Sequence, residues 1–187
     1  VEAGLVTDTA FADDIADEAG RYLLEAGGKR IRPTLALLTA QLGDGVNDEV
    51  IAAAEAVEIT HLASLYHDDV MDDAELRRGV PTAQNVWGNS VAILTGDLLF
   101  ARASRIFAGL GERALDPIEH YLQVLSDKTG SLIALAAYVG VVFSNAASEY
   151  REPVQRFGES IGVAFQLIDD VIDLSASTAE TGKTAGT

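Results

Sequence analysis

The sequence predicts an all-α protein, and three observations carry that prediction. Apolar residues recur at spacings of three and four through most of the chain, the period of a helix with one buried stripe. No stretch alternates apolar and polar residues as a half-buried strand would. The 187 residues are 48% apolar and hold only 4 prolines, with Ala and Leu prominent, a composition of helical globular proteins and not of disordered ones.

The elements follow in order. Residues from about Asp8 to Ala26 carry Phe11, Ile15, Ala19, Tyr22 and Leu23 at helical spacing. Gly27-Gly28-Lys29-Arg30-Ile31-Arg32-Pro33 breaks that helix, and Pro33 suits the first turn of the next, over Thr34 to Leu42, which ends at Gly43. Asn47 or Asp48 caps a long third helix running to about Ala74. Gly79 to Thr82 is a turn, and Asn89 to Ala108 is an apolar helix. Asp116-Pro117 starts a further helix over Ile118 to Asp127, Lys128-Thr129-Gly130 leads into an apolar helix to about Ala147, and Glu149 to Leu174 is a final long helix. The small, polar tail from Ser175 to Thr187 reads as a loop.

Charge and cysteine content limit the function. Thirteen Lys and Arg against 29 Asp and Glu leave a formal net charge of −16, which argues against a nucleic-acid partner. It does not argue against a phosphate substrate, because divalent metals held by carboxylates invert the local field. Without cysteine there is neither a disulfide framework nor a thiolate metal site, which fits a reducing compartment. No secretory signal is visible, and Val1 is not a native start. The longest apolar run, Leu132 to Phe143, is short of the roughly 18 residues of a membrane span, so it is expected to be a buried helix.

Two acidic boxes stand out from this background. The first is Asp68-Asp69-Val70-Met71-Asp72, followed by Arg77-Arg78-Gly79. On a helix Asp68 and Asp72 lie within about 40° of each other, and the same stripe runs back through Leu65, His61, Val57, Ala54 and Val50. Apolar at its base and acidic at its end, it is no ordinary solvated face. His61 sits about 20° from Asp68 in azimuth and about 10 Å below it. The second box, Asp169-Asp170-Val171-Ile172-Asp173, shares a face with Gln166 and is again set among apolar residues. Six carboxylates in apolar helices need cations or water, since burying them unpaired costs several kcal/mol each.

Hard oxygen donors in this number suit Mg²⁺, with Mn²⁺ as the alternative, and not zinc. Mg²⁺ takes one or two carboxylates, waters and substrate phosphates, so two acidic helix ends form a cage for a diphosphate. Lys29, Arg32, Arg77, Arg78, Lys128 and Lys183, at the ends of predicted helices, are the candidates to close it. Neutralising a diphosphate leaving group in this way is what ionisation of a carbon–oxygen bond requires.

With GGKRIRP at 27–33, DDxxD and RRG over 68–79, Lys128-Thr129, Gln166 with a second DDxxD, and Gly182-Lys183-Thr184 in that order, the chain resembles the trans-isoprenyl diphosphate synthases, the polyprenyl synthetase family. The resemblance implies one domain over residues 1–187, a bundle of long, mostly antiparallel helices around a deep central cavity, usually homodimeric and cytoplasmic. It implies that Asp68, Asp69, Asp72, Asp169, Asp170 and Asp173 bind Mg²⁺, with Asp68, Asp72 and Asp169 the strongest candidates. Arg77, Lys128, Thr129, Gln166 and Lys183 would contact the allylic diphosphate, and Lys29, Arg32, His61 and Arg78 isopentenyl diphosphate. The implied reaction is ionisation of the allylic diphosphate, attack by the isopentenyl double bond and loss of a proton. In the family, bulk at the fourth and fifth positions before the first Asp limits product length. Ser64 and Ala63 are small, so a product longer than farnesyl is expected, with Tyr66 or neighbouring helices as alternative floors. Compared with the family the chain is short: a helix between about Leu110 and Asp116, and helices beyond Thr187, are expected to be absent.

Other readings divide on the same residues. Glu58-x-x-His61 is half of a di-iron carboxylate motif, but the chain has no second ExxH. Gly182-Lys183-Thr184 is not a P-loop, because Ser177 stands where the first glycine is required. A terpene cyclase of related fold would share the ionisation but would not need GGKRIRP, and a catalytically weak partner subunit that tunes a synthase would not need six carboxylates.

Overall fold

Helix boundaries are set by a few side chains whose hydrogen bonds end one element and begin the next. The structure, a computed structural model, describes residues 1–111 and 130–175. The described residues form eight α-helices: α1 (Glu2–Asp8), α2 (Asp14–Glu25), α3 (Ile31–Thr39), α4 (Asp48–Met71), α5 (Ala83–Trp87), α6 (Asn89–Gly109), α7 (Gly130–Phe143) and α8 (Arg151–Ser175). Short 3₁₀ turns cover Ala40–Leu42 and Ser148–Tyr150. The expectation of no strands is corrected by a small antiparallel hairpin, β1 (Leu76–Arg77) and β2 (Val80–Pro81), too short for its alternation to be legible. The expected helix over 118–127 and the tail after Ser175 lie outside the described residues.

The helix expected from Asp8 to Ala26 is shorter, α2 covering Asp14–Glu25, and a separate helix, α1, lies before it over Glu2–Asp8. Asp13 takes an extended backbone and its carboxylate accepts from Ile15 and Ala16 N–H, starting α2 there and leaving Phe11 in the connection. Asn47 caps α4 as expected, accepting from Val50 N–H at 2.8 Å. The helix α7 ends at Phe143, earlier than expected, where Asn145 turns left-handed at φ 55° and bonds Asp44. A five-residue helix, α5, was not foreseen.

The chain divides into two compact units. The first comprises Val1, Arg30–Glu58 and Ala103–Leu167. Its centre is α7, apolar on every face and almost wholly buried from Leu132 to Phe143, as the run of apolar residues predicts. Helix α3 lies against it: Leu35 joins Ile133, Ala137, Val141 and Val154 of α8 in one core, and Thr39 Oγ1 donates to Ala137 O at 2.8 Å. The contact is close because Gly140 has no side chain: a Cβ there would run into Thr39 Oγ1 and Ala36 O. Asn47 Nδ2 donates to Phe143 O at 2.9 Å, tying the start of α4 to the end of α7.

The second unit comprises Glu2–Lys29, Ile59–Arg102 and the chain from Ile168. Tyr66, fully buried on α4, reaches α2, where its hydroxyl donates to Ala19 O and accepts from Leu23 N–H at 3.3 Å. Burial pushes the phenol well above its ordinary value of 10.0, so it stays a donor. The sign follows: a raised folded-state pKa gives stability that is complete below the ordinary tyrosine range and is lost as pH climbs from there towards the folded value. Tyr66→Phe is expected to cost about 1–2 kcal/mol at neutral pH and to blunt that alkaline loss. Denaturant midpoints at neutral and alkaline pH check both, and an unchanged neutral midpoint refutes the role. Tyr22 bonds Pro81 O at 2.9 Å and meets Trp87 edge-on at 4.9 Å, seating the hairpin on α2. Among the described residues, no helix is long and apolar enough to cross a membrane.

Candidate active site

The first acidic box occupies the last turn of α4 and the turn after it. Asp72 N–H still closes on Asp68 O at 2.8 Å, Asp73 then goes left-handed at φ 49°, and Ala74 N–H returns to Asp69 O. The helical stripe is as expected: Val50, Ala54 and Val57 are fully buried, His61, Leu65 and Asp68 half-buried and Asp72 exposed. Asp69 points elsewhere. It is 2% exposed, and Arg77 grips its Oδ1 with Nε at 2.7 Å and Nη2 at 2.5 Å. A buried carboxylate needs such a partner, and Arg77 supplies it, while Asp68 is half-buried and Asp72 exposed on the same helix end.

Arg77 is delivered by the hairpin. Its two-residue turn, Arg78-Gly79, has φ of 54° and 81°, the left-handed pair that matches the twist of antiparallel strands. Gly79 adopts this without penalty, and Arg78 is held there by its own side chain, whose Nη1 donates to Leu23 O at 2.6 Å and to Gly27 O. A cation thereby closes the carbonyl end of α2, just before Lys29. The far side is knotted on the Ala74 carbonyl, which accepts from Thr82 Oγ1 at 2.7 Å, Gln84 Nε2 at 3.1 Å and Asn85 Nδ2 at 3.3 Å.

A second anchor precedes the box. His67 Nε2 lies 3.2 Å from Ile93 O and 3.3 Å from Asp97 Oδ1 on α6, with Phe100 tilted against the ring at 5.6 Å. The ring fits because position 96 is glycine, where a Cβ would strike the imidazole. Sequence reasoning missed His67, Asp97, Thr82 and Asn85. The only signal was Gly96, a lone glycine in a helical pattern, which marks a close approach.

Of the other expected site residues, Lys29 is exposed after the turn that Arg78 holds, and Arg32 is half-buried on the first turn of α3 in the first unit. His61 is half-buried on α4 and its carbonyl accepts from Ser64 Oγ at 2.8 Å. Ala63 is fully buried and Ser64 half-buried. Tyr66 is committed to α2 and leaves α4 about 200° from Ser64, so it does not floor a cavity beneath Ser64. The second box and Gln166 belong to α8, but their side chains lie outside the described residues, as do Lys128, Thr129 and Lys183. Among the described residues, no three His, Asp or Glu side chains gather to hold an ion. The donors that Asp68 and Asp72 offer are carboxylate oxygens in a chain without thiols, which fits a hard divalent ion.

Fold and site together define, among the described residues, a helical protein with one small hairpin and an acidic, arginine-flanked helix end. The chain belongs to the polyprenyl synthetase family, whose model matches residues 13–118 and 111–187. It is 42% identical over 213 residues to nonaprenyl diphosphate synthase of Mycobacterium tuberculosis, covering all of this chain and 64% of that one. To geranylgeranyl diphosphate synthase of Methanosarcina mazei it is 33% identical over 200 residues, covering 90% and 62%. The chain therefore spans slightly under two thirds of either relative. Among solved structures, heptaprenyl diphosphate synthase of Staphylococcus aureus superposes with a TM-score of 0.85 at 30% identity, over 99% of this chain and 67% of that one. Geranylgeranyl pyrophosphate synthase of Corynebacterium glutamicum, complexed with calcium and isoprenyl diphosphate, gives 0.80 at 37% identity, over 97% and 63%. The fold is that of the isoprenoid synthases.

Proposed function

We propose that this chain carries the catalytic machinery of a Mg²⁺-dependent prenyltransferase, which joins isopentenyl diphosphate to an allylic diphosphate and releases a longer linear trans-prenyl diphosphate, geranylgeranyl or longer, and diphosphate. The observation that carries the reading is the end of α4, where the acidic box closes the helix and the hairpin returns Arg77 to Asp69. The similarity to nonaprenyl and geranylgeranyl synthases supports the reaction class and the longer product.

In the reaction the allylic carbon–oxygen bond breaks, with its electron pair leaving on the diphosphate. The isopentenyl double bond then forms the new carbon–carbon bond, and a proton leaves the adjacent carbon for the departing diphosphate. Divalent metal held by Asp68 and Asp72, with Asp169, Asp170 and Asp173 as the second donor set, supplies charge neutralisation on the leaving group. Arg77, Lys128, Thr129, Gln166 and Lys183 bind the allylic diphosphate, and Arg77 enters already oriented by Asp69. Lys29, Arg32, His61 and Arg78 bind isopentenyl diphosphate. The Nη1 of Arg78 already serves Leu23 and Gly27.

The protein is proposed to act as a cytoplasmic homodimer. Ile93, Leu94 and Leu98 on α6 are 42%, 61% and 41% exposed, an apolar stripe suited to a second copy. A net charge of −16 supports the absence of a nucleic-acid partner.

The test is product chromatography of the full-length protein with Mg²⁺, radiolabelled isopentenyl diphosphate and dimethylallyl, geranyl or farnesyl diphosphate in turn. Labelled linear products longer than farnesyl are expected. Consumption of the allylic substrate without label incorporation identifies a cyclase instead, and no consumption a partner subunit. Ser64→Phe is expected to shift the products towards farnesyl by filling the space below Asp68. An unchanged product distribution removes Ser64 from length control.

A further inference from the structure

Glu58 has no part in the chemistry above, yet it is a carboxylate only 2% exposed, on the apolar part of α4. Its charge is met by Arg30, whose Nη1 lies 3.4 Å from Glu58 Oε1, the two side chains being 17% and 3% exposed. Arg30 is the one cation of the GGKRIRP run to which no ligand is assigned. Its backbone is left-handed, at φ 49° and ψ 34°, a conformation in which a non-glycine residue persists only where its surroundings hold it. From there its carbonyl accepts from Thr34 N–H at 3.0 Å and opens α3 without a side-chain cap.

We propose that Arg30 and Glu58 are a positioning pair that locks the amino-terminal end of α3 onto α4, and with it Arg32, so setting the affinity for isopentenyl diphosphate. The far end of α3 is already fixed, through Thr39 on Ala137 and the close approach at Gly140. The Arg30–Glu58 contact ties the near end as well, two residues before Arg32. A guanidinium that neutralises a buried carboxylate is poorly placed to follow a substrate as it comes and goes, because withdrawing it would strand the carboxylate. The proposal rests on Arg32 being a diphosphate ligand, as read above.

The experiment compares Arg30→Gln, Glu58→Gln, the double variant and Arg32→Gln in the full-length protein, measuring KM for each substrate, kcat, direct binding of isopentenyl diphosphate and the thermal midpoint. For a positioning pair, Arg30→Gln and Glu58→Gln each raise KM for isopentenyl diphosphate by about tenfold, with KM for the allylic diphosphate and kcat little changed. The double variant is no worse than either single one. If Arg30 itself grips the diphosphate, Glu58→Gln frees it and lowers that KM, and the proposal is overturned. A fall in thermal midpoint with both KM values unchanged reduces the pair to a structural contact and overturns it as well. Arg30→Lys, which keeps Glu58 neutralised but reaches less far, serves if Glu58→Gln fails to fold, and it too must raise KM for isopentenyl diphosphate. Weaker binding in Arg32→Gln alone, with the pair variants normal, defeats this proposal but leaves the functional reading intact. Wild-type protein that does not bind isopentenyl diphosphate defeats both.

Discussion

Asp68→Ala is expected to lower kcat/KM by on the order of 10³-fold while leaving the thermal midpoint close to that of the wild type. Asp68 is half-buried, one turn inside the exposed Asp72, on the helix end where Asp69 is bound to Arg77. Its loss removes charge neutralisation at the moment the leaving group develops charge, an effect felt in kcat as well as in binding. The Mg²⁺ concentration for half-maximal rate should rise in the same variant. Asp69→Asn makes the contrast, since it loosens Arg77 but keeps the carboxylates of Asp68 and Asp72, so its loss in rate should be smaller and its metal midpoint nearer the wild type's. Steady-state kinetics across a metal titration check the pair. Equal metal midpoints for the two variants would mean that Asp69 is a ligand on the same footing as Asp68.

The second large effect is on stability. Gly140→Ala is expected to destabilise the protein by about 3 kcal/mol, with a thermal midpoint lower by about 5–10 °C. A Cβ at this position meets Thr39 Oγ1, the Ala36 carbonyl and, at 3.0 Å, the Ala40 nitrogen, so backbone as well as side chain must give way. Any retreat of α3 also breaks the Thr39 bond to Ala137 O and opens the core of Leu35, Ile133, Ala137 and Val141. Calorimetry or a denaturant titration decides it, and a loss below about 1 kcal/mol would show that α3 yields easily at this crossing.

Local chemistry explains how much of this was legible. The Asn47 cap, the helical stripe under Asp68 and the buried α7 follow from periodicity and capping, which act within a few residues, and all stand as read. The break at Asp13 was hidden because Phe11 happened to continue the helical spacing, while the carboxylate that ends it bonds only its own neighbours. The hairpin was read as a turn because two residues per strand are too few to alternate. Within the site, the box itself was plain, but the division of labour between Asp68 and Asp69 was not. Spacing puts both on one helix end, and only the return of Arg77 on the hairpin tells them apart. Likewise, nothing in a run of three cations says that Arg30 is the one turned to a buried carboxylate on another helix.

The meeting of α3 with α7 has a consequence in time. Thr39 and Ala137 are 98 residues apart, so α3 leaves the ribosome long before its partner exists. At about 5–20 residues per second, that interval is on the order of 5–20 s. Through it, Leu35 and Ala36, buried in the finished protein, have nothing of α7 to pack on. By contrast, Tyr66 follows Ala19 by only 47 residues, so α2 gains its anchor about twice as early. During synthesis the acidic helix end therefore takes shape on α2 while the first unit still waits for its central helix.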